Sequence, residues 1–386
     1  MEVPFNGSKG HTLGVEIELQ IIDPKTQAYK FCAPQLLDRC RKKGLVHIKN
    51  ELNQATVEVD TKICKKSSDV RESLAESVSI LMEMGNKLDF SLLACGSHPS
   101  FFWEKNRIYP NERYKRVVDK LQIAARRVQV YGLHVHVGVP DGDTALAICN
   151  SAMKYLPHLL ALSANSPFWQ GSDTGLESYR ASIMGSMPMS GFPYYFENWN
   201  AFSRYYNTLV QSQVITAMKD VYWFVRPSPA FGTVEFRICD MTSSLDETIA
   251  LVALIQSMVV WMKDNLKSNP ENYLKDDNTY WFAPENLWMA QRYGLDGRIV
   301  HAETLKRVSI REELEKLLSI LSPYAQDLGC EEDFLYVYEM IKRGNGATRQ
   351  LAKYRESGKI KDVIGMLEND FSRQVVRRNV MHSKHP

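Results

Sequence analysis

The 386-residue sequence predicts an α+β fold built on a mainly antiparallel sheet. Three observations carry this. Four short segments alternate apolar and polar residues with the period of two that marks a half-buried strand: GVEIEL at 14–19, ATVEVD at 55–60, GLHVHVG at 132–138 and TVEFRI at 233–238. The first 262 residues mix strand and helix signals without a regular βαβ repeat. From Pro284 onward helical patterning takes over almost completely. No internal repeat or low-complexity linker interrupts the chain. Residues 1–386 therefore read as one composite domain, with a sheet-containing part over 1–262 and a mainly helical part over 263–386.

In chain order, residues 12–22 predict a strand, followed by the turn Asp23-Pro24-Lys25-Thr26 with proline in second position. Residues 34–43 predict a short helix stopped by Gly44. A second strand ends near Asp60, and a helix over 68–87 takes Ser68 or Asp69 as its N-cap. A strand over 90–96 and a helix over 111–127 follow. The strand through 133–139 stops at Pro140-Asp141-Gly142-Asp143, and one long helix runs from about Thr144 to Ser163. Residues 165–200 are rich in Gly, Ser, Pro, Met and aromatics but poor in charge, which predicts an ordered loop packed over a site. Two strands, near 221–225 and 231–239, precede an apolar stretch at 249–262 broken by Gln256 and Ser257. That stretch is shorter than the roughly 20 residues a bilayer span needs and reads as a buried helix.

Composition narrows the function classes. The chain is 44% hydrophobic, ample for a large core, and its net charge of +2 implies no nucleic-acid partner. The basic tail at 373–384 reads as a solvated end. Seven scattered cysteines without a C-x-x-C pair predict reduced thiols in the cytoplasm. The start of the chain has no basic, apolar signal-peptide pattern, and no membrane partner is expected. Sheet edges need cover, so the chain is expected to form a homodimer.

The chemistry lies on the polar faces of the four strands. Alternation puts Glu16 and Glu18 on one face, about 7 Å apart by the strand rise, a spacing that suits two cations better than one. Carboxylate oxygens are hard ligands for Mg²⁺ or Mn²⁺. A solvent-facing pair on an edge strand is the plainer alternative. Glu51 and Glu58, seven residues apart, mean little by themselves. His134 and His136 share a face, but two ligands do not close a zinc site, and no further His or Cys stands at ligand spacing. A ring nitrogen on a phosphate or a magnesium-bound group fits them better, with a hydrogen-bonded half-buried pair as the alternative. Glu235 and Arg237 share a face as well. Arginine's planar fork suits phosphate or carboxylate oxygens, although the two residues can also simply pair with each other. Several acids, arginines and an imidazole together suit metal-assisted phosphoryl transfer. The G-x-x-x-x-G-K-[ST] and G-x-G-x-x-G loops are missing, so metals and arginines would have to hold any ATP.

The block LLALSANSPFW at 159–169, then GSDTG at 171–175 and Ser178-Tyr179-Arg180, resembles glutamate–cysteine ligase family 2 and its YbdK-type carboxylate–amine ligases. GVEIE at 14–18, HVHVG at 134–138, VEFR at 234–237 and NLWMAQRYGLD at 286–296 resemble it too, in the family's order, over residues 12 to 298. The resemblance implies a curved antiparallel sheet of the glutamine-synthetase and glutamate–cysteine-ligase type. It implies an ATP- and Mg²⁺-dependent (or Mn²⁺-dependent) enzyme that phosphorylates a carboxylate, such as the glutamate γ-carboxylate, and lets a small amine such as cysteine attack the acyl phosphate. By the same resemblance Glu16, Glu18, Glu51, Glu58 and Glu235 fall at metal positions. Arg237, Arg180 and His134 fall at catalytic, phosphate- or substrate-facing positions, with His136, Tyr179, Asn165 and Ser166 at substrate- or nucleotide-binding ones. One departure bears on substrate identity: where many members carry a basic residue in a Pro-Arg-x-Gly-like stretch, this chain has Met187-Pro188-Met189-Ser190-Gly191.

Two other functions compete with the ligase. A metal-dependent amide hydrolase would need more histidine ligands and a (β/α)₈ alternation. A non-catalytic binder of glutamate or nucleotide would use the same pocket without turnover.

Overall fold

The computed structural model describes residues 2–268 and 277–382. Its centre is an open seven-stranded sheet in which every neighbouring pair is antiparallel. The strands are β1 (Leu13–Ile22), β2 (Ile48–Asn50), β3 (Thr56–Asp60), β4 (Ser91–Leu93), β5 (Leu133–Gly138), β6 (Val225–Ser228) and β7 (Thr233–Phe236). Their order is β6-β7-β5-β1-β3-β2, with β4 on the last three residues of β1. The four alternating segments thus become the four central strands.

Alternation decides the faces. Val15, Ile17, Leu19, Val57, Val59, Leu133, Val135, Val137, Val234 and Phe236 are all buried on the apolar side. Helix Ser67–Leu88 packs on β1 and β3, helix Leu245–Ser268 on β5, and helix Gly142–Ala152 on β6 and β7. The expected apolar helix is longer than its 249–262 core. By length and composition Leu245–Leu266 could cross a membrane, yet 83% of its most apolar window is buried inside the protein. One apolar cluster continues from Leu13 to Phe371, so the C-terminal helices share the sheet's core.

Several boundaries differ from the sequence reading. The expected helix over 144–163 is two helices, Gly142–Ala152 and Leu156–Ser163, separated by a 3₁₀ turn at Met153–Tyr155. Pro157 lies in the first turn of the second helix, where its missing N–H costs least. The helix over 111–127 ends at Leu121 because Gln122 adopts φ +50°. The N-cap of helix Ser67–Leu88 is Lys66 rather than Ser68 or Asp69, and Asp69 accepts from the Lys65 and Lys66 amides at 2.9 and 3.2 Å. The helical part contains a hairpin, Arg298–Val300 with Arg307–Ser309. The last helix runs to His382. The side chains of the basic tail lie outside the described residues.

Candidate active site

Register turns the alternation into a site. On the polar face Glu18 lies directly opposite Glu58, Glu16 opposite His134, His136 opposite Glu235, and Glu235 opposite Arg226. Glu51 joins this row from the end of β2. Two candidate metal groups result, Glu16–His136–Glu235 and Glu18–Glu51–Glu58. Within each, ligand atoms from all three residues come within 4.8 Å of one another. Glu16 and Glu18 therefore go to different groups, in keeping with a spacing that suits two cations. The donors, carboxylate oxygens with one imidazole nitrogen, fit Mg²⁺ or Mn²⁺.

The electrostatics differ between the groups. Burial and the neighbouring Glu51 push the Glu18 carboxyl up to about 8. Burial, then Glu51 and Glu16, also push Glu58 well above the carboxylate range. Like charges facing each other across a strand pair repel, and among the described residues the only hydrogen-bond donor to Glu18 is the Gly132 amide at 2.6 Å. A cation would relieve this crowding. In the other group burial opposes charge on Glu16, but hydrogen bonds from His134 and His136 outweigh it and hold its carboxyl well below the usual range. His134 Nδ1 lies 3.0 Å from Glu16, and burial, then Arg237, lowers this ring to about 4, so it is neutral near pH 7. Its Nε2 lies 3.8 Å from Glu18 and joins the two groups. His136 Nδ1 contacts the Thr233 hydroxyl at 2.8 Å, and its Nε2 lies 3.4 Å from Glu16 and 3.9 Å from Glu235.

Glu235 is 1% exposed and gripped by two guanidiniums. Arg226 donates to it through Nε at 2.7 Å and Nη2 at 3.1 Å, and Arg237 pairs with the Oε1 oxygen. Burial alone would raise this carboxyl, but Arg226 and Arg237 hold it well below the usual range. The pairing weighed for Glu235 and Arg237 is thus present, and it coexists with a place in a metal group.

Arg180 borders the acidic face, while Asn165, Ser166 and Tyr179 lie behind it. The resemblance puts Arg180 facing substrate. Here its guanidinium is buried, with Nη1 and Nη2 donating at 3.0 Å each to the carbonyls of Ile238 and Arg237, while Nε has no hydrogen-bond partner among the described residues. A Cβ on Gly132 would lie 2.3 Å from Arg180 Nη2 and 2.9 Å from His134 Nε2, so this arginine closes the buried rim of the polar face. Asn165 and Ser166 are fully enclosed and bind Asp240 rather than facing the acids. Asp240 accepts from the Asn165 amide at 2.9 Å and from the Ser166 and Ser178 hydroxyls at 2.6 and 2.8 Å. The Tyr179 hydroxyl accepts from Arg127 at 3.2 Å.

Three residues here escaped the sequence reading. Arg226 lies on a four-residue strand interrupted by Pro227, too short for alternation to register. Asp240 follows the end of β7, and only its place in the run after Arg237 hints at it. Tyr114 reaches over from helix Glu112–Leu121, its hydroxyl donating to the Asn50 carbonyl at 3.0 Å. The stretch over 165–200 is ordered, as expected, but holds its own structure. It contains the hairpin Phe168–Trp169 with Ser172–Asp173 and a helix, Tyr179–Gly185, capped by Ser178.

Comparison with known proteins gives the family. The model of glutamate–cysteine ligase family 2 matches residues 12–366. A protein of Gloeobacter violaceus that carries the provisional name glutamate–cysteine ligase 2 is 40% identical over 371 residues, covering 95% of this chain and 99% of its own. A protein of Thermobifida fusca with the same provisional name is 38% identical over 375 residues, covering 96% and 93%. Among solved structures, the glutamate–cysteine ligase of Francisella tularensis in complex with AMP superposes with a TM-score of 0.60 at 12% identity, over 100% of this chain and 96% of that one. A bifunctional glutathione synthetase of Pasteurella multocida gives 0.65 at 15% identity over 96% of this chain. This chain spans 52% of that longer protein. At such identities the likeness speaks for the fold. Fold, polar face and relatives together define a carboxylate–amine ligase. The chain belongs to glutamate–cysteine ligase family 2.

Proposed function

We propose that this ligase uses ATP to join the γ-carboxylate of glutamate to the amine of a small amino acid, with cysteine as the first candidate. The observation that carries the reading is the split of Glu16 and Glu18 between two acidic groups beside Arg237. A γ-phosphate that accepts a carboxylate oxygen needs its charge neutralised from several sides. Glu16, His136 and Glu235 would hold one Mg²⁺ and Glu18, Glu51 and Glu58 another, and these ions would neutralise the phosphate oxygens.

The chain's own residues supply the rest. The substrate carboxylate oxygen attacks the γ-phosphorus and ADP leaves. The substrate ammonium gives up a proton to become the amine, the amine attacks the acyl carbon, and inorganic phosphate leaves with the bonding pair and takes up the second proton that the nitrogen sheds as the amide forms. Arg237 places positive charge where the transferring phosphoryl group gathers negative charge. Arg226 keeps Glu235 ionised. Neutral His134, held by Glu16, presents its Nε2 lone pair toward the second group. Arg180 is best read as a positioning residue that fixes the chain at Arg237 and Ile238. Asn165 and Ser166 brace Asp240, and Tyr179 accepts from Arg127 and packs on Trp169.

Seven free thiols suit a cytoplasmic setting. The open sheet suits a homodimer, which light scattering at micromolar concentration tests. The test of function is ADP release. Purified protein with ATP and Mg²⁺ releases ADP only when glutamate and an amine such as cysteine are both present. Amide cleavage without ATP would point to the hydrolase, and ligand binding without any ADP to a silent binder.

A further inference from the structure

A cavity of about 330 Å³ lies between helix Glu112–Leu121 and the segment over 213–222. This is the size of a small-molecule site. Arg113, Arg116, Lys120 and Lys219 line it, against a single carboxylate, Asp220. That carboxylate is largely engaged within its own segment: its Oδ2 accepts from the Thr216 amide at 2.8 Å and hydroxyl at 2.6 Å, and Arg113 acts on it only from beyond ion-pair distance. Among the described residues none of the four cations forms an ion pair. Arg113 and Lys120 donate to backbone carbonyls, those of Lys219 at 3.5 Å and Val214 at 2.7 Å, and the Arg113 guanidinium also lies over the Tyr114 ring, 5.8 Å from its centroid. The Nε of Arg113 is enclosed and has no hydrogen-bond partner among the described residues.

Four cations of one sign around a concave wall concentrate positive potential, and an enclosed N–H without an acceptor is costly. An anion with several oxygens relieves both. Val117, Leu121 and Ile215 add an apolar wall, which suits an organic body rather than a bare ion. The cavity is separate from the acidic groups but shares a wall with them. Arg226 Nη1 donates to the carbonyls of Met218 and Val221 at 3.1 and 2.5 Å, while Thr216, Lys219, Asp220 and Tyr222 of the same segment line the cavity. A ligand there would touch the segment that holds Arg226 against Glu235.

We propose that this cavity binds a small organic anion carrying two or more phosphate or carboxylate groups, at a site distinct from the two acidic groups. The inference is independent of which reaction the acidic face performs. It is tested on the whole metal-free protein by calorimetric titration at low salt, with pyrophosphate in one arm and citrate in the other. Without metal the acidic face repels both probes. The expected result is one-to-one binding of at least one probe, weakening as salt rises. Pyrophosphate alone marks a phosphate site, citrate alone a carboxylate site, and both a general polyanion site. The double variant Arg116→Ala with Lys219→Ala removes two exposed cationic side chains from the cavity wall and should weaken binding about tenfold or more. Lys219→Glu alone, the milder variant for folding, should weaken it as well. If neither probe binds, or if wild type and both variants bind equally, the proposal is overturned.

Discussion

Arg226 and Glu235 face each other in register on neighbouring antiparallel strands, and the guanidinium holds the carboxylate through Nε and Nη2 at 2.7 and 3.1 Å. Arg237 completes the grip from the other side of the same carboxylate. Truncating one partner of a buried pair leaves a charge without compensation. Arg226→Ala should therefore lower stability by about 3–5 kcal/mol and reduce turnover. Arg226→Lys keeps the charge but loses the fork, and should recover part of the stability and less of the turnover. Urea denaturation beside steady-state kinetics checks both. A stability loss under about 1 kcal/mol for Arg226→Ala would place the pair among exposed, screened ones.

Glu18→Gln should lower kcat by on the order of 10²–10³ while leaving the protein folded. The glutamine keeps the bulk and the acceptor for the Gly132 amide, and it removes one of the mutually repelling carboxylates of the Glu18–Glu51–Glu58 group. Folding stability of the metal-free protein should be unchanged or higher. Turnover within about threefold of wild type would remove Glu18 from the ligand set, since loss of a transition-state contact costs far more.

Gly132→Ala tests the rim. The new Cβ would stand 2.3 Å from Arg180 Nη2 and 2.9 Å from His134 Nε2, so one of those side chains must move. Insertion into a packed wall costs roughly 1–3 kcal/mol. The loss in kcat should exceed what that modest destabilisation explains. Wild-type kinetics in this variant would mean that Arg180 and His134 need not keep their places.

Stability should fall with acid through two rings outside the site. Burial lowers both His98 and His158 from 6.5 to about 4. His98 shows why: its Nδ1 accepts from the Ser100 and Phe101 amides at 3.2 Å each, so a proton there breaks both bonds. Between pH 6.5 and 4 the unfolded chain binds protons that the folded chain refuses, so stability rises with pH across that window and is lost as pH falls. Each ring contributes at most roughly 3 kcal/mol. Glu18 and Glu58, whose carboxyls are raised, act in the opposite sense, so the clean readout is a difference. His98→Asn should show a shallower fall in Tm below pH 6.5 than wild type. Parallel curves would show that His98 titrates normally in the fold.

The faces of the strands were legible in the sequence because a period of two assigns every side chain to one side. Glu16 with Glu18, and His134 with His136, needed nothing more. Which strands become neighbours was not legible. That His136 joins Glu16 and Glu235 follows from β5 lying between β1 and β7, and alternation carries no information about order. Arg226 was hidden by a short strand with a proline, and Asp240 by lying beyond any periodic run. Family resemblance placed Arg180 near the chemistry, but the direction of a long side chain depends on the carbonyls that happen to surround it. The break at Met153–Tyr155 was foreshadowed by Pro157, whose place inside an otherwise continuous apolar pattern concealed it.

The central claim is that the acidic face activates a carboxylate by phosphorylating it. The most direct measurement is oxygen transfer. Glutamate labelled with heavy oxygen in its γ-carboxylate is turned over with unlabelled ATP, Mg²⁺ and cysteine, and the inorganic phosphate released is analysed by mass spectrometry. Formation of an acyl phosphate predicts one labelled oxygen in each phosphate, with no label transferred when the amine or the metal is withheld. Amide product formed with unlabelled phosphate would contradict the claim.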